Sequence, residues 1–397
     1  MRIVFLHPDL GIGGAERLVV DAALALKSKG HKVRFVTNHF APNHCFQEVL
    51  DFDIQTIDVF PRNILGRFTA LCAYIRMCIA ALVICWFGNV DVVFIDSISL
   101  PVPLIKWFST AKVLFYCHFP DQLLASHDSF ILRAYRYILD ALEGWSTDMA
   151  DVVCVNSKFT EGVVRQTLTS LAERDLHVLH PTINTKFFDE SPRVELDFIP
   201  EGVEHLFVSV NRFEVKKNID LALAAFAKLH DKMDEASFSK CFLVIAGGYD
   251  PKNAENIAYY EKLQDVANQL GLPESSYAFV KSPSDTVKIE LLRRASLVIY
   301  TPKNEHFGIV PIEAMYVETC VLATDTGGPR ETVVHGRTGF LTSGDPYNFS
   351  IVLSQVVNNP EQVKEMGRVG RLRVERVFAF DAFASKLNNI VETFCKP

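Results

Sequence analysis

Two glutamates, Glu305 and Glu313, are the side chains whose types and spacing point most directly to chemistry. The apolar stretch 296–300 before them predicts a buried strand, and the stretch after Gly308 predicts the start of a helix. One carboxylate on the loop and one on the first turns of the helix would face a single pocket. Between them lie backbone N–H groups of a helix N-terminus, which suit a phosphate. Carboxylates accept hydrogen bonds from sugar hydroxyls, so this run predicts a nucleotide-sugar site.

Two cations, Arg212 and Lys217, lie in the loop after the predicted strand 206–210. Fixed positive charges at that position would bind a diphosphate and stabilise it as it departs. The alternative is a basic loop that is simply solvated. Both this loop and the Glu305 loop follow the carboxyl end of a strand, which favours a shared site.

His118 directly follows the predicted strand 113–117 and precedes a proline turn. Its imidazole could orient or polarise a transferring sugar. The alternative is a structural histidine that is hydrogen-bonded by its neighbours.

Gly13 and Gly14 lie between the first predicted strand, 2–7, and the first predicted helix, 15–29. Paired glycines allow a diphosphate or a sugar to approach the backbone closely. The loop does not match the GxGxxG pattern of dinucleotide-binding proteins, because Glu16 stands at its last position. A dehydrogenase is therefore disfavoured, and a flexible turn remains the structural alternative.

The composition narrows the classes of function that the chain can have. It has 397 residues, is 49% hydrophobic and carries a formal net charge of −7, which argues against general nucleic-acid binding. Its nine cysteines have no metal-ligand spacing and indicate reduced thiols. Asp51 and Asp53 form the acidic DxD triplet, which is interpreted as a surface turn. The sequence therefore predicts no metal site and no required cofactor, with room for a non-essential divalent cation.

Alternating strands and helices predict two doubly wound, Rossmann-like α/β domains that face a cleft. We place the first domain at 1–190 and the second at 203–380. The polar stretch 185–202 between them is interpreted as a linker. The last predicted helix, within 381–397, is expected to pack back on the first domain.

An almost continuous apolar run of 20 residues, 68–87, is broken only by Arg76. As a helix it would cover about 30 Å, the thickness of a bilayer core. The central arginine disfavours a crossing. We expect an interfacial helix that dips Phe68, Leu71, Ile75 and Trp86 into lipid, with a buried core helix as the alternative. The basic residues expected near lipid head groups are Arg62, Arg67 and Lys106.

Taken together, these motifs resemble the retaining glycosyltransferases of family 4, which have the GT-B fold. The likeness covers nearly the whole chain and keeps the order of the motifs. It is carried by the N-terminal Gly13-Gly14, the His118 strand end, the loop with Arg212 and Lys217, and the run from Asn304 to Met315. This chain departs from the common Glu-Gly-Phe-Gly pattern by having His306 at the second position.

The resemblance implies a role for each motif. Arg212 and Lys217 would bind the donor diphosphate, and amides of Phe307, Gly308, Ile309 and Val310 would contact phosphate. Glu305 would hold hydroxyls of the transferring sugar, and Glu313 the ribose. His118 would lie near the C6 side of the sugar, and Gly13 and Gly14 would complete the donor site. The catalytic set implied is His118, Lys217 and Glu305.

Within the family, the runs 116–124 and 304–315 are similar to members that act on dolichol-linked oligosaccharides. This implies transfer of mannose from GDP-mannose to a dolichyl-diphosphate oligosaccharide, through α-1,3 and α-1,6 linkages, on the cytosolic face of the endoplasmic reticulum membrane. Further candidate partners are other glycosyltransferases of that pathway, but not nucleic acid. The alternatives are another lipid acceptor, such as phosphatidylinositol, and a non-catalytic sugar-nucleotide or lipid-binding scaffold. The order of the two linkages and the choice between a front-face and a covalent mechanism stay open.

Overall fold

The computed structural model describes residues 1–64, 68–124 and 130–395 of the chain. It divides into two compact units. The first contains Met1–Thr182 together with the segment that begins at Phe380, and the second contains Ile183–Ala379. Each unit is an open parallel β-sheet with helices on both faces, which confirms the doubly wound α/β class predicted from the alternating pattern.

The described strands of the first unit are all parallel. In chain order they are β1 (Arg2–His7), β2 (Lys32–Thr37), β3 (Asp53–Thr56), β4 (Val92–Asp96), β5 (Lys112–Cys117), β6 (Val152–Val155) and β7 (Leu176–Val178). Their spatial order is β3-β2-β1-β4-β5-β6-β7, so the winding direction reverses between β1 and β4. In open α/β sheets, ligands bind at such a reversal, at the end of the sheet where the strands finish. We call this the carboxyl end of the sheet, and the opposite end the amino end.

The described helices of the first unit before the chain enters the second are α1 (Gly14–Ser28), α2 (Thr69–Phe87), α3 (Pro101–Phe108), α4 (Asp121–Leu124), α5 (Phe130–Asp148) and α6 (Lys158–Thr167). The helix α1 packs on one face of the sheet, over Ile3 and Phe5. The helices α2 and α3 pack on the other face, over Val4 and Leu6. Because both faces are covered, all four of these consecutive strand residues are at most 1% exposed.

The strands of the second unit are also all parallel. In chain order they are β8 (His205–Val210), β9 (Cys241–Gly247), β10 (Tyr277–Lys281), β11 (Leu297–Tyr300), β12 (Val321–Thr324) and β13 (Gly339–Thr342). Their spatial order is β10-β9-β8-β11-β12-β13, so the reversal lies between β8 and β11. The loops after these two strands carry Lys217 and Glu305.

The helices of the second unit, in chain order, are α7 (Thr185–Glu190), α8 (Asp220–His230), α9 (Glu235–Phe238), α10 (Ala254–Gln269), α11 (Asp285–Arg294), α12 (Ile309–Tyr316), α13 (Pro329–Thr332), α14 (Pro346–Asn358) and α15 (Pro360–Val377). One core lies between the sheet and α8, α10 and α14. The other lies between the sheet and α11, α12 and α15.

The last described helix, α16 (Phe380–Cys395), belongs to the first unit. It packs on α1 through Phe383, Leu387 and Val391, which are buried in the same core as Ile3 and Phe5. A hydrogen bond of 2.7 Å between His31 Nε2 and Asn388 Oδ1 joins the end of α1 to α16. The C-terminal segment thus covers a sheet face formed by the N-terminal half of the chain.

The segment 185–202, predicted as a linker, is part of the second unit. It begins as α7, and its residues Phe188, Leu196 and Ile199 are buried in the core on the α12 side of the second sheet. The units divide between Thr182 and Ile183. The linker interpretation was wrong because the polar residues and prolines of this segment surround a few widely spaced apolar anchors.

Gly367 lets α15 approach the end of α12 closely, because a Cβ atom built there would lie 1.8 Å from the carbonyl oxygen of Glu318. We expect Gly367→Ala to lower the free energy of unfolding by about 1–3 kcal/mol through overpacking. The measurement is the thermal unfolding midpoint. The control is Gly162→Ala in α6, where an added methyl group meets nothing within 4 Å. Equal midpoints for the two variants would contradict this account of the packing.

Candidate active site

Lys217 and Glu305 form an ion pair at the carboxyl end of the second sheet. The Lys217 Nζ atom donates to Glu305 Oε2 at 2.5 Å, although the two residues lie on loops after different strands. Both side chains are largely buried. The reversal of strand order places the ends of β8 and β11 side by side, and this adjacency brings the two charges together.

Further hydrogen bonds hold these two loops to each other. Thr301 Oγ1 donates to the Lys217 carbonyl oxygen at 2.7 Å, and Asn218 Nδ2 donates to the Thr301 carbonyl oxygen at 3.5 Å. Asn218 has a φ of 51°, a left-handed conformation that asparagine tolerates better than most residues. The ammonium of Lys217 is therefore directed by its backbone and not only by the carboxylate.

The electrostatics of Glu305 favour its charged form. Burial alone would raise the pKa of this carboxyl group, but the charge and the hydrogen bond of Lys217 outweigh burial and hold the pKa below its ordinary value. The neighbouring Tyr300 hydroxyl has a pKa well above its usual range, through burial and then through the charge of Glu305. Glu305 thus remains a hydrogen-bond acceptor at neutral pH.

The loop that carries Glu305 rests on Gly327 and Gly328. The Gly328 N–H donates to the Glu305 carbonyl oxygen at 2.7 Å, and a Cβ atom on Gly328 would lie 2.3 Å from the Phe307 Cα atom. Any larger residue at position 328 would therefore displace the loop. Gly327 and Gly328, which follow β12, therefore do more than form a tight turn. They position the loop that carries Glu305.

The N-terminus of α12 lies directly after this loop. Gly308 is its N-cap residue, with a φ of 85°, and no side chain in the described part of the protein caps the helix. The Tyr300 ring lies 3.2 Å from the position that a Cβ atom of Gly308 would occupy. Of the four amides predicted to contact phosphate, those of Phe307 and Gly308 belong to the loop, and those of Ile309 and Val310 begin α12. All four thus lie near Glu305, at a helix end that favours an anion.

Glu313 lies on α12 and is almost completely buried. Its Oε1 atom accepts a hydrogen bond from Lys288 Nζ at 2.7 Å, while its Oε2 atom has no partner among the described residues. A buried carboxylate oxygen without a partner is costly unless a ligand donates to it. Lys288 was not predicted, since it lies on α11 in an ordinary amphipathic pattern.

Arg212 does not join the Lys217–Glu305 pair. Its guanidinium is exposed and lies 3.1 Å from Glu214 Oε1, and Lys216 Nζ lies 3.2 Å from Glu214 Oε2. Glu214 is itself buried. The structure therefore places the predicted cations Arg212 and Lys217 in one loop but gives them different carboxylate partners.

In the first unit, His118 belongs to a chain of titratable side chains. Its Nε2 atom lies 2.9 Å from Asp96 Oδ2, and the Oδ1 atom of Asp96 lies 2.6 Å from His7 Nδ1. His7 Nε2 in turn lies 3.8 Å from Glu16 Oε1. His7 ends β1 and Asp96 ends β4, the two strands at the reversal of the first sheet.

Asp96 and His7 stabilise each other as an ion pair. Burial would lower the pKa of His7, but the charge and hydrogen bond of Asp96 hold this pKa well above its ordinary value. Burial would raise the pKa of Asp96, yet the charge of His7 and the hydrogen bond of His118 hold it well below its usual range. At neutral pH, Asp96 is therefore an anion that fixes His118 through Nε2 and leaves Nδ1 on the other side of the ring.

Gly13 and Gly14 lie between β1 and α1, next to this network. Gly13 is the N-cap of α1, and the helix has no side-chain cap among the residues that the structure describes. A Cβ atom on Gly13 would lie against the carboxylate of Glu16, whereas one on Gly14 would meet nothing within 4 Å. Gly13 thus makes room for the Glu16 side chain. From the sequence, Glu16 was notable only because it breaks the GxGxxG pattern.

The loop after His118 is held by another buried acid. Glu143 accepts from the backbone N–H groups of Asp121 at 2.6 Å and Gln122 at 3.2 Å. Burial raises the pKa of Glu143 to about 7. Tyr74 of α2 donates to Asp121 Oδ2 at 3.1 Å, so the same loop is tied to α2.

His7, Asp96 and Glu143 were missed by sequence reasoning. A signal for the first two was present, because each is a titratable residue in the last position of an apolar strand. Glu143 gave no such signal, since it lies within the amphipathic helix α5. Among the described residues, no group of three or more His, Cys, Asp or Glu side chains could hold a metal ion.

The helix α2 has a buried side, as the core-helix alternative predicts, and an exposed side, and its contact with lipid stays a prediction. Its Met77, Ala80 and Ile84 are buried in the core, while Phe68 before it and Trp86 near its end are exposed. The other two residues predicted to meet lipid, Leu71 and Ile75, are half-buried.

The arginine inside the apolar run is paired within the protein through Nη2, while its buried Nε atom has no partner among the described residues. Arg76 Nη2 donates to the Asn38 carbonyl oxygen at 2.7 Å and to Asp58 Oδ1 at 2.5 Å. By length and composition, residues 69–86 could cross a membrane, with a mean hydropathy of 1.9, yet 39% of them are buried in the fold. A packed core helix meets the same criteria.

Of the three basic residues expected near lipid head groups, Arg62 is exposed. Lys106 Nζ binds Asp151 Oδ1 at 2.8 Å. Arg67 lies outside the described residues.

We expect Asp96→Asn to move the pKa of His7 down into or below the neutral range, because burial remains while the offsetting charge is lost. The measurement is an NMR titration of the imidazole nitrogens. Asp175→Asn beside the exposed His177 is the matched control and should leave the His7 titration unchanged. A His7 pKa that did not move in Asp96→Asn would show that another group charges this ring.

Two protein families match the two halves of the chain. They are "Glycosyltransferase Family 4" over residues 12–187 and "Glycosyl transferases group 1" over residues 199–373. Among solved structures, sucrose-phosphate synthase from Thermosynechococcus elongatus has a TM-score of 0.76 at 20% identity, over 99% of this chain and 98% of that chain. The catalytic domain of starch synthase IV from Arabidopsis thaliana has a TM-score of 0.76 at 13% identity, over 99% of each chain. These likenesses confirm the predicted GT-B fold.

Curated relatives are similar at much higher identity. The human protein named alpha-1,3/1,6-mannosyltransferase ALG2 is 42% identical over 396 residues, which cover 98% of this chain and 95% of the human protein. The protein of the same name in Dictyostelium discoideum is 41% identical, over 99% of this chain and 98% of that protein. Since the identity extends over nearly the full length of each chain, this chain belongs to the alpha-1,3/1,6-mannosyltransferase family of glycosyltransferases.

Proposed function

We propose that this protein transfers mannose from GDP-mannose to a dolichyl-diphosphate-linked oligosaccharide, with retention of configuration, and forms the α-1,3 and α-1,6 linkages of the N-glycan precursor. The observation that carries the proposal is the Lys217–Glu305 pair beside the uncapped start of α12. It combines a cation, a charged carboxylate and helix amides within one loop cluster. The names of the full-length relatives supply the sugar and the linkages.

The donor binds at the carboxyl end of the second sheet. Lys217 and the first amides of α12 bind the diphosphate, and the exposed guanidinium of Arg212 adds a second charge from the same loop. Glu305 accepts from hydroxyls of the mannose. The unpartnered Oε2 atom of Glu313 accepts from a ribose hydroxyl, which removes the cost of leaving it buried without a partner.

The acceptor binds at the carboxyl end of the first sheet, near His118. Asp96 holds the ring by Nε2, so Nδ1 is the atom that meets a sugar hydroxyl. In the transfer, the bond between mannose C1 and the phosphate oxygen breaks while C1 bonds to the acceptor oxygen on the same face. The acceptor proton passes to the leaving phosphate, and Lys217 stabilises the charge that develops there.

We further propose that the enzyme acts on the cytosolic face of the endoplasmic reticulum membrane and requires no cofactor. Support for the membrane comes from the exposed apolar side chains of α2 and from the lipid-linked acceptor itself. Support for the absence of a required metal comes from the chemistry, because Lys217 and the helix amides supply positive charge to the diphosphate without one.

The test of the reaction uses purified protein, GDP-mannose and a dolichyl-diphosphate trisaccharide, followed by linkage analysis of the product. We expect α-linked mannose on the acceptor, and equal rates with and without a chelator. Competing arms replace the donor by UDP-glucose and the acceptor by phosphatidylinositol. Transfer only from the other donor, or only to the other lipid, would reject the proposed substrates.

Lys217→Ala should lower kcat by about 10²–10³-fold, because the departing diphosphate loses a fixed cation. The matched control is Lys216→Ala, which removes a neighbouring exposed ammonium that binds Glu214. Steady-state kinetics of both variants give the comparison, with thermal unfolding midpoints to detect any loss of folding. A Lys217→Ala enzyme with full kcat would refute the role of this side chain.

A further inference from the structure

The helices α2, α3 and α5 all end at the amino end of the first sheet. Each of them leads, after a few residues, into the start of a strand: α2 into β4, α3 into β5 and α5 into β6. Since parallel strands start at the same end of a sheet, the last turns of these three helices lie together. The structure supports this with a contact of 3.9 Å between Cys85 Sγ and the Leu104 carbonyl oxygen, which joins the end of α2 to α3.

The three tryptophans of the chain all lie in these last helical turns and are all exposed. Trp86, Trp107 and Trp145 are 87%, 60% and 45% exposed, and Phe108 beside them is 62% exposed. The rings of Trp107 and Trp145 have centroids 6.0 Å apart. Tryptophan is normally a highly buried residue, so a cluster that leaves all of its copies in solvent indicates an interaction surface.

This exposure is enforced by the core. The opposite sides of α2 and α3 are buried, with Met77 and Ile84 of α2 and Val102 and Ile105 of α3 packed on the sheet. The helices cannot rotate to bury the tryptophans without exposing that core. We call Trp86, Trp107, Phe108 and Trp145 the aromatic patch.

The surroundings of the aromatic patch are basic, although the chain carries a formal net charge of −7. A cavity of about 590 Å³ at the end of α2 is lined by Arg2, Lys32 and Arg34, together with Asp53. The Arg2 side chain is bound to Asp91.

Further charges lie beside the other two helix ends. Lys106 and Lys112 share Asp151, and Arg174 is paired with Asp148. The side chains named here comprise six cations and four carboxylates.

We propose that the aromatic patch is the membrane-docking surface of this protein and inserts into the head-group layer of an anionic bilayer. Exposed tryptophans with nearby lysine and arginine fit that interface. There the indole ring contacts lipid, the indole N–H contacts water or head groups, and the cations meet anionic head groups. The proposal rests on the lipid-linked acceptor of the proposed function. In this proposal the bilayer contacts the protein at the amino end of the first sheet and not along the whole outer side of α2.

This placement separates the membrane from the reacting groups of the same unit. His7 and Asp96 end their strands at the carboxyl end, about 15–20 Å from the amino end for strands of five to six residues. In an acceptor whose lipid stays in the bilayer, the diphosphate and first sugars must cover such a distance. The terminal sugar, which is the one to be extended, then reaches the level of His118.

The intrinsic tryptophan fluorescence reports directly on this proposal, because every tryptophan belongs to the aromatic patch. We expect vesicles of phosphatidylcholine with phosphatidylserine to shift the emission to shorter wavelength, and brominated lipids to quench it. Pure phosphatidylcholine should act more weakly. Emission that does not respond to vesicles would overturn the proposal and leave a protein partner as the alternative occupant.

Variants separate the contributions of the rings and the charges. Trp86→Ala with Trp107→Ala should weaken vesicle binding by about tenfold or more in a flotation assay, since apolar area is withheld from the bilayer. Lys32→Glu with Arg34→Glu should remove only the gain from phosphatidylserine. The matched control is Phe68→Ala, an exposed aromatic at the other end of α2, which should bind as the unmodified protein does.

The proposed function and this docking surface can fail separately. With a water-soluble, short-chain acceptor, the double tryptophan variant should transfer mannose at the normal rate, because the variant loses only the bilayer. Loss of binding in Phe68→Ala but not in the tryptophan variants would overturn the docking surface while leaving the reaction intact. Trp86→Ala alone, at the most exposed position, is the fallback if the double variant shows a lower unfolding midpoint.

Discussion

The ion pair between Lys217 and Glu305 depends on the order of the strands in the second sheet. Two loops that are far apart along the chain meet because β8 and β11 are neighbours where the winding reverses. Hydrogen bonds from Thr301 and Asn218 then fix the two backbones to each other. A charged carboxylate, a cation and the start of α12 therefore occupy one small region, and the chemistry proposed for this protein relies on that region.

The first sheet repeats the same principle with a different set of charges. His7 and Asp96 come from the two strands at its reversal, and His118 follows the next strand in space. A buried anion or cation alone would be costly, but the pair offsets the loss of hydration for both members. A further hydrogen bond, between Asp96 and His118, fixes the orientation of the His118 ring at the carboxyl end of the sheet. In this unit the polar network and the aromatic patch occupy opposite ends of the strands.

Much of the architecture could be predicted from local patterns. The strand predicted at 2–7 is β1, and the helix predicted at 15–29 is α1 (Gly14–Ser28) with a shift of one residue at each end. No local pattern predicted the strand β13 or the helix α15. The helix α15 is rich in arginine and buries few apolar residues, including Val363, Met366 and Val374, so its amphipathic signal is weak. The boundary between the units was misplaced because the anchors Phe188, Leu196 and Ile199 are too widely spaced to show a period.

The sequence by itself determined the alternation of strands and helices and the residue types that follow the strands, because both follow from local periodicity and local backbone chemistry. It also identified the family, since the motifs keep their order along the chain. Only the tertiary structure decided which charge meets which partner: Lys217 with Glu305, Asp96 with both His7 and His118, and Lys288 with Glu313. The same holds for the side of α2 that is buried and for the gathering of three tryptophans at one end of a sheet. The physical reason is that strand order and helix packing are set by the burial of the whole core, and no local pattern contains that information.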